Sequence, residues 1–288
     1  MRLALGTVQF GLPYGVKNSS GQVSRDDARS ILKLASVNGI DTLDTAVAYG
    51  DAENCLGEIG VHKFKLVTKL PRLPDDCLDV DDWVQMQMDA SLSRLGVKKV
   101  YGLLIHHADQ LLSIIGSSLY SALLRLKDKG HAQKIGVSIY SPSDLDALLP
   151  RYRFDLCQAP FNLVDRRLYT SGWLQHLKDL GVEIHTRSAF LQGLLLMNES
   201  DIPTKFFAWN DLWRLWQLWL ANHGDLAIEA CLAYPLSFPE IDRVIVGVDS
   251  PSQLAQIINA TNLSLNTELP DLQCEDELLI NPAKWNLL

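Results

Sequence analysis

The stretch LALGTVQFGLPYG (Leu3 to Gly15) decides the fold. Leu3–Thr7 is a short apolar run of the kind a strand buried on both faces requires, and the residues after it form the first strand-to-helix turn. In an open, doubly wound sheet that binds a dinucleotide, this turn carries G-x-G-x-x-G. Here the glycines fall at positions 6, 11 and 15, so that spacing is absent. The other architecture built from buried parallel strands is a closed barrel, which makes the number of strands the next question.

Seven further apolar runs follow: Gly39–Thr45, Phe64–Leu70, Val100–His106, Lys134–Ser138, Phe154–Ala159, Val182–Ser188 and Arg243–Gly247. Helical patterns fill the intervals. Ser24 is placed to cap a helix through ARSILKLASVN, with Asp27 in its first turn and Gly39 beyond its end. DWVQMQMDASLSRL ends at Gly96, LYSALLRLKDK at Gly130 and LYTSGWLQHLKDL at Gly181, each at a residue that takes the left-handed conformation freely. Eight alternations in 288 residues, close to the roughly 250 typical of the class, predict an α/β fold. That fold is a (β/α)8 TIM barrel in a single domain over residues 1–288, without linker, repeat or low-complexity segment.

Composition narrows the function. The chain is 47% hydrophobic and 21% charged, which excludes disorder. A net charge of -8 and a pI near 5.3 provide no basic field for nucleic acid. The five cysteines are odd in number and widely spaced with no C-x-x-C pair, so neither a disulfide framework nor a zinc site is indicated, and a cytoplasmic location is expected. No H-x-H or H-E-x-x-H occurs, and His185 has no second histidine at metal spacing, so no metal is expected and His185 is read as structural. No apolar run approaches the roughly 20 residues of a membrane span.

Barrel enzymes carry their chemistry at the C-terminal ends of the strands. Those ends read Thr7, Asp44, Lys69, His106, Ser138, Gln158, Arg187 with Ser188, and Gly247. A lysine buried at a strand end needs a carboxylate partner, and Asp44 stands on the neighbouring strand. Tyr49 lies one short loop beyond Asp44. A lysine beside it would lower the phenol's pKa from its usual value near 10, fitting it to exchange a proton near neutral pH. His106 would orient a carbonyl oxygen by hydrogen bonding. The set suits proton delivery to a carbonyl while another group delivers hydride.

At these residues the chain resembles the aldo-keto reductase superfamily. LDTAVAYGDAE matches its D-T-A-x-x-Y-G signature, and VTKL, LLIHHAD, IGVS and QAPFNL match its lysine, histidine, serine and glutamine strand ends in order. The resemblance implies a catalytic tetrad of Asp44, Tyr49, Lys69 and His106, with Tyr49 protonating the carbonyl oxygen of an aldehyde, ketone or sugar-like substrate, or the reverse. Of the adjacent histidines, His106 matches the family position and His107 is read as a loop residue.

The resemblance also implies NADP(H), with NAD(H) as the alternative. Gly6 and Thr7 open the cofactor side. Ser138 and Gln158 fall where the family binds the nicotinamide carboxamide, although Ile139 replaces the asparagine that often follows the serine. Arg187 stands where many members stack an aromatic ring on the nicotinamide; a salt bridge to a loop carboxylate is its other reading. Ser188 is a phosphate donor. VGVDSPSQL matches the adenosine-phosphate segment, with Gly247 and Val248 at its start and a helix N-terminus at Ser250 or Pro251. It offers Gln253 and Asp249 where a strong grip on a 2′-phosphate needs lysine and arginine.

Two rivals remain at this stage: a cofactor-binding barrel acting as a sensing or assembly subunit, as in members associated with ion channels, and a lyase or aldolase with a Schiff base on Lys69. Trp209, Trp213, Trp216 and Trp219 lie along one side of a helix and are read as packing. Phe206 and Phe207, in the long excursion after the seventh strand, are candidate pocket residues. The short tail after Ala260 suggests an open pocket. The sequence leaves substrate and oligomeric state undetermined.

Overall fold

A computed structural model of the chain describes residues 1–288 except Lys17, Ser19, Asp225 and 263–266. Eight parallel strands close into a barrel in chain order, β1 pairing with both β2 and β8. They are β1 (Leu3–Gly6), β2 (Thr42–Asp44), β3 (Lys65–Leu70), β4 (Val100–Ile105), β5 (Ala132–Ser138), β6 (Leu156–Pro160), β7 (Glu183–Arg187) and β8 (Arg243–Gly247). The expected (β/α)8 barrel is therefore the observed one, and each expected strand is present within two or three residues at either end.

The helices among the described residues are α1 (Arg25–Val37), α2 (Ala52–Ile59), α3 (Val80–Leu95), α4 (Gly116–Asp128), α5 (Ser143–Leu148), α6 (Arg167–Thr170), α7 (Trp173–Asp179), α8 (Asn210–His223), α9 (Ala227–Leu236), α10 (Pro251–Ala260) and α11 (Glu277–Ile280). Ser24 caps α1 by accepting from the Asp27 backbone N–H, and Gly96 ends α3 in the left-handed conformation. The helix expected to run unbroken to Gly181 is two helices, α6 and α7. Gly172, at φ 80°, breaks it, because that conformation lies outside the helical region. None of the described helices is long and apolar enough to cross a membrane.

The main core lies between barrel and helices, while Val67, Leu104 and Leu156 fill the barrel interior. The tryptophans of α8 are packing residues, as expected. Trp213 and Trp216 are fully buried and donate their indole N–H to the carbonyls of Phe206 and Leu195 respectively. They thereby hold the excursion after β7 to the body of the protein.

Candidate active site

The C-terminal mouth of the barrel opens into a cavity of about 1160 Å³. Asp44, Tyr49 and His106 line it, and Lys69 lies behind them at 1% exposure. Lys69 Nζ donates to both carboxylate oxygens of Asp44 (2.8 and 2.7 Å) and to the Thr45 carbonyl (2.9 Å). It lies 5.0 Å from the centre of the Tyr49 ring. The Tyr49 and His106 rings meet edge to face at 5.9 Å. An ammonium committed to three acceptors has no lone pair to offer a carbonyl carbon, which argues against a Schiff base on Lys69.

The charges overturn one expectation. Lys69 was expected to lower the Tyr49 pKa, but the phenol is held well above its usual range. Burial is the first cause and the Asp44 carboxylate the second, with Arg187 opposing them. Asp44 compensates the lysine charge at close range, so the pair presents no net cation to the tyrosine. Burial likewise pulls the Lys69 ammonium down in pKa against the pull of Asp44. Burial, then Lys69, His107 and Arg187, push His106 down to about 3, so its imidazole is neutral near neutral pH. His106 is in the cavity wall, whereas His107 precedes a 3-10 turn over Ala108–Leu112 and is not.

Local folding holds Tyr49 in place. Its loop is tied to the strands by Thr45 N–H to the Val67 carbonyl (2.8 Å) and Val47 N–H to the Lys69 carbonyl (3.2 Å). Gly11 lies directly against this loop, and a Cβ there would come within 1.8 Å of the Tyr49 carbonyl oxygen. Just beyond the tyrosine, the fully buried Glu53 of α2 accepts from Thr68 Oγ1 (2.7 Å), Ser91 Oγ (2.5 Å) and Arg94 Nε (2.8 Å). It thus ties α2, the helix that follows the tyrosine's loop, to β3, the strand of Lys69. Sequence reading missed Gly11 and Glu53; the one available signal was a glutamate on the apolar face of α2.

The cofactor-side residues distribute as follows. Gly6, Thr7, Ser138, Gln158, Arg187, Ser188, Gly247 and Gln253 line the cavity. Val248 is buried in the core and does not. Gln158 Nε2 donates to Asp44 Oδ1 (2.7 Å), leaving its buried Oε1 without a partner. Gly247 makes room for Gln9, which the sequence reading missed: a Cβ there would lie 2.5 Å from Gln9 Nε2. Arg187 makes no salt bridge to a described carboxylate. Its guanidinium lies 4.7 Å over the Tyr140 ring and donates to the Ile139 carbonyl (3.0 Å). Ser250 caps α10, and Asp249, whose backbone N–H donates to Gln253 Oε1 (2.7 Å), accepts from Asn18 Nδ2 (2.9 Å).

Two expectations about the pocket fail. Phe206 is buried and Phe207 half exposed, and neither lines the cavity; Phe190, Gln192 and Leu196, earlier in the same excursion, do. The tail does not leave the pocket open on its side. It returns through α11, and Pro282 and Ala283 form part of the wall.

The sequence profile described as the Aldo/keto reductase family matches residues 2–270. The chain belongs to the aldo/keto reductase family. It is accordingly an NAD(P)(H)-dependent oxidoreductase. Among curated relatives it is 28% identical to the L-galactose dehydrogenase of Arabidopsis thaliana, across 96% of this chain and 89% of that one. It is 25% identical to the D-threo-aldose 1-dehydrogenase of a Pseudomonas species, across 88% and 89%. An aldo-keto reductase of Bacillus halodurans, solved in its holo form, superposes with a TM-score of 0.74 at 21% identity, covering 92% of this chain and 88% of that one.

The family cofactor fits this chain's donors and acceptors. A nicotinamide carboxamide offers an N–H₂ and a carbonyl, and Gln158 Oε1 is a buried acceptor lacking a donor at the cavity wall, with the Ser138 hydroxyl beside it in the lining.

Proposed function

We propose that this aldo/keto reductase interconverts a sugar-like, polyhydroxylated carbonyl compound and its alcohol, with Tyr49 as the proton-transferring group and NAD(H) as the preferred cofactor. One observation carries the reading: Tyr49 and neutral His106 share a cavity wall with the unsatisfied Gln158 Oε1, in front of the Lys69–Asp44 pair. The nicotinamide supplies or takes up hydride when bound. The chain's own residues do the rest. Tyr49 moves the proton at the substrate oxygen, and neutral His106 hydrogen-bonds that oxygen without adding charge. Gln158 and Ser138 hold the carboxamide, and the Lys69–Asp44 pair fixes the floor beneath them. Gly6, Thr7, Ser188, Gly247 and Gln253 border the rest of the cofactor.

The preference for NAD(H) rests on the wall near α10. Asn18, Asp249, Gln253, Gln256 and Asn259 form it, and no lysine or arginine among the described residues joins them. A 2′-phosphate would meet a carboxylate there, whereas a ribose hydroxyl can donate to one. The sugar-like substrate is supported by the two curated dehydrogenases named above, whose names specify an aldohexose and aldoses.

Calorimetric titration with NADH and NADPH separately, followed by a screen of aldoses for NAD⁺ reduction, tests both parts. NADH is expected to bind at least tenfold more tightly, and at least one aldose to drive turnover. Equal or tighter NADPH binding overturns the cofactor assignment, and binding with no turnover on any carbonyl or alcohol overturns the enzymatic one.

A further inference from the structure

The N-terminal face of the barrel, at the end away from the cavity, is divided in charge. It is built from the segments that lead each helix into the next strand. Those before β3, β4, β5 and β6, which are neighbours around the ring, carry Lys63, Lys98, Lys99, Lys129, Arg151 and Arg153. All six are exposed, and none of the described carboxylates pairs with them. Cations close by that reach an acid do pair: Lys127 with Asp155 (2.6 Å), Lys134 with Glu183, and Lys65 with Asp41 (3.0 Å). Asp128, the last residue of α4, is the acid that interrupts the sector. The segments before β7, β8, β1 and β2 complete the face with Glu240, Asp242 and Asp41. Their cation is Arg2, whose guanidinium is taken up by the carbonyls of Leu236, Phe238 and Ile241.

Helix dipoles do not account for the six. The helices that lead into strands end on this face, and the negative end of each favours a nearby cation by about 0.3–1 kcal/mol. Yet α1, α7 and α9 end there too, and the segments after them hold acids or no charge at all. Solubility does not account for them either, because the net charge is -8 and added cations bring it nearer to zero. Like charges gathered on adjoining loops without anions between them repel one another, a small cost to the fold. A partner of opposite sign offsets that cost.

From this arrangement we propose that the sector is a docking surface for a short acidic segment of another protein. Its boundaries decide the class of partner. With six cations set apart, the rest of a chain that sums to -8 is more negative still. A nucleic-acid duplex or an anionic bilayer carries its charge far beyond four loops, and would meet those acidic surroundings within a Debye length of about 8 Å. An acidic peptide segment ends inside the sector and meets mostly cations. The cavity opens at the other end of the barrel and none of the six lines it, so a docked partner leaves the catalytic mouth free.

The test uses a short fluorescein-labelled oligoglutamate peptide, followed by anisotropy at about 50 mM and about 150 mM salt. The unmodified protein is expected to bind it, more weakly at the higher salt. Lys98→Glu together with Lys99→Glu should weaken binding about tenfold or more, and Lys98→Arg with Lys99→Arg should leave it within about a factor of two. Lys63→Glu with Lys129→Glu, on the two flanking loops, should weaken it by a similar amount. Lys33→Glu, at an exposed lysine of α1 outside the sector, should not. Calorimetric NADH binding and urea unfolding of the reversed variants should match the unmodified protein, so that a loss of peptide binding reports the face and not the fold. Absence of peptide binding, unaltered binding in both double reversals, or equal weakening by Lys33→Glu overturns the proposal. Displacement of the peptide by NADH also overturns it, by placing the peptide in the cavity beside Arg187. Tighter binding of phosphatidylserine vesicles or of a DNA duplex than of the peptide overturns it as well, since the partner would then be a membrane or a nucleic acid.

Discussion

At the N-terminal mouth of the barrel, Glu183 accepts from Tyr101 (2.6 Å), pairs with Lys134 and lies 2.8 Å from His185 Nε2. Asp41 answers Lys65 (3.0 Å) and Arg243 (3.2 Å) nearby. Charges there close on one another. At the C-terminal mouth one pair closes, Lys69 with Asp44, while Arg187 is left without a described anion and Gln158 Oε1 and His106 Nδ1 lack partners. Both mouths are polar and partly buried, so polarity alone does not distinguish a binding site from a structural plug. Nor does an unpaired atom alone, since His185 Nδ1 also lacks a partner; what differs is that Gln158 and His106 line a cavity in which a ligand can satisfy them, whereas His185 does not.

The sharpest way to break this contrast is at Tyr49. Tyr49→Phe is expected to lower turnover roughly 10²- to 10⁴-fold, the usual worth of a proton-transferring group, while calorimetry shows cofactor affinity unchanged within a factor of a few. Retained turnover would remove the distinction between the two mouths. Next in size is Asp44→Asn, which leaves the Lys69 ammonium buried without its anion; urea unfolding should show a loss of about 3–5 kcal/mol together with loss of activity.

The smallest effect belongs to the other mouth. Glu183→Gln should cost about 1–3 kcal/mol of stability with kcat and KM unaltered, since no atom of that cluster lines the cavity. Its pH signature is also defined. Burial alone would raise the Glu183 pKa, but hydrogen bonds from His185, Lys134 and Tyr101 hold it well below the usual carboxylate range. The folded value being the lower one, the stabilisation is present above the unfolded value of about 4.3 and is lost as pH falls beneath it. Between pH 7 and pH 3 the difference in unfolding midpoint between the two proteins should therefore stay constant down to about pH 4.3 and narrow below it without closing, and a gap constant over the whole range would contradict this account.

The barrel was legible because each apolar run is short and several are preceded by a glycine that stops a helix, signals that are local in the chain. Asp44, Lys69 and His106 were legible because a polar residue at the end of an apolar strand is conspicuous wherever the strand lies. The partners were not. That Gln158 would turn to Asp44, that Tyr140 rather than a carboxylate would meet Arg187, and that Gly11 would press on Tyr49 depend on contacts between distant segments, which no window of sequence displays. The rise in the Tyr49 pKa escaped for a related reason: the cation was visible in the motif, but its neutralisation by Asp44 and the degree of burial were properties of the closed ring. The break at Gly172 could have been read from the Ser171–Gly172 pair, a turn signal overridden by the apolar periodicity around it.

The indole of Trp216 stacks on that of Trp219 at 5.5 Å and 7°, and its N–H holds the carbonyl of Leu195, one residue from the cavity wall at Leu196. The molecule therefore carries an optical reporter of its own. A displacement of that wall that carries Leu195 with it when the cavity fills would disturb the hydrogen bond, so a change in ultraviolet emission from α8 is the expected sign of occupancy, read without a label.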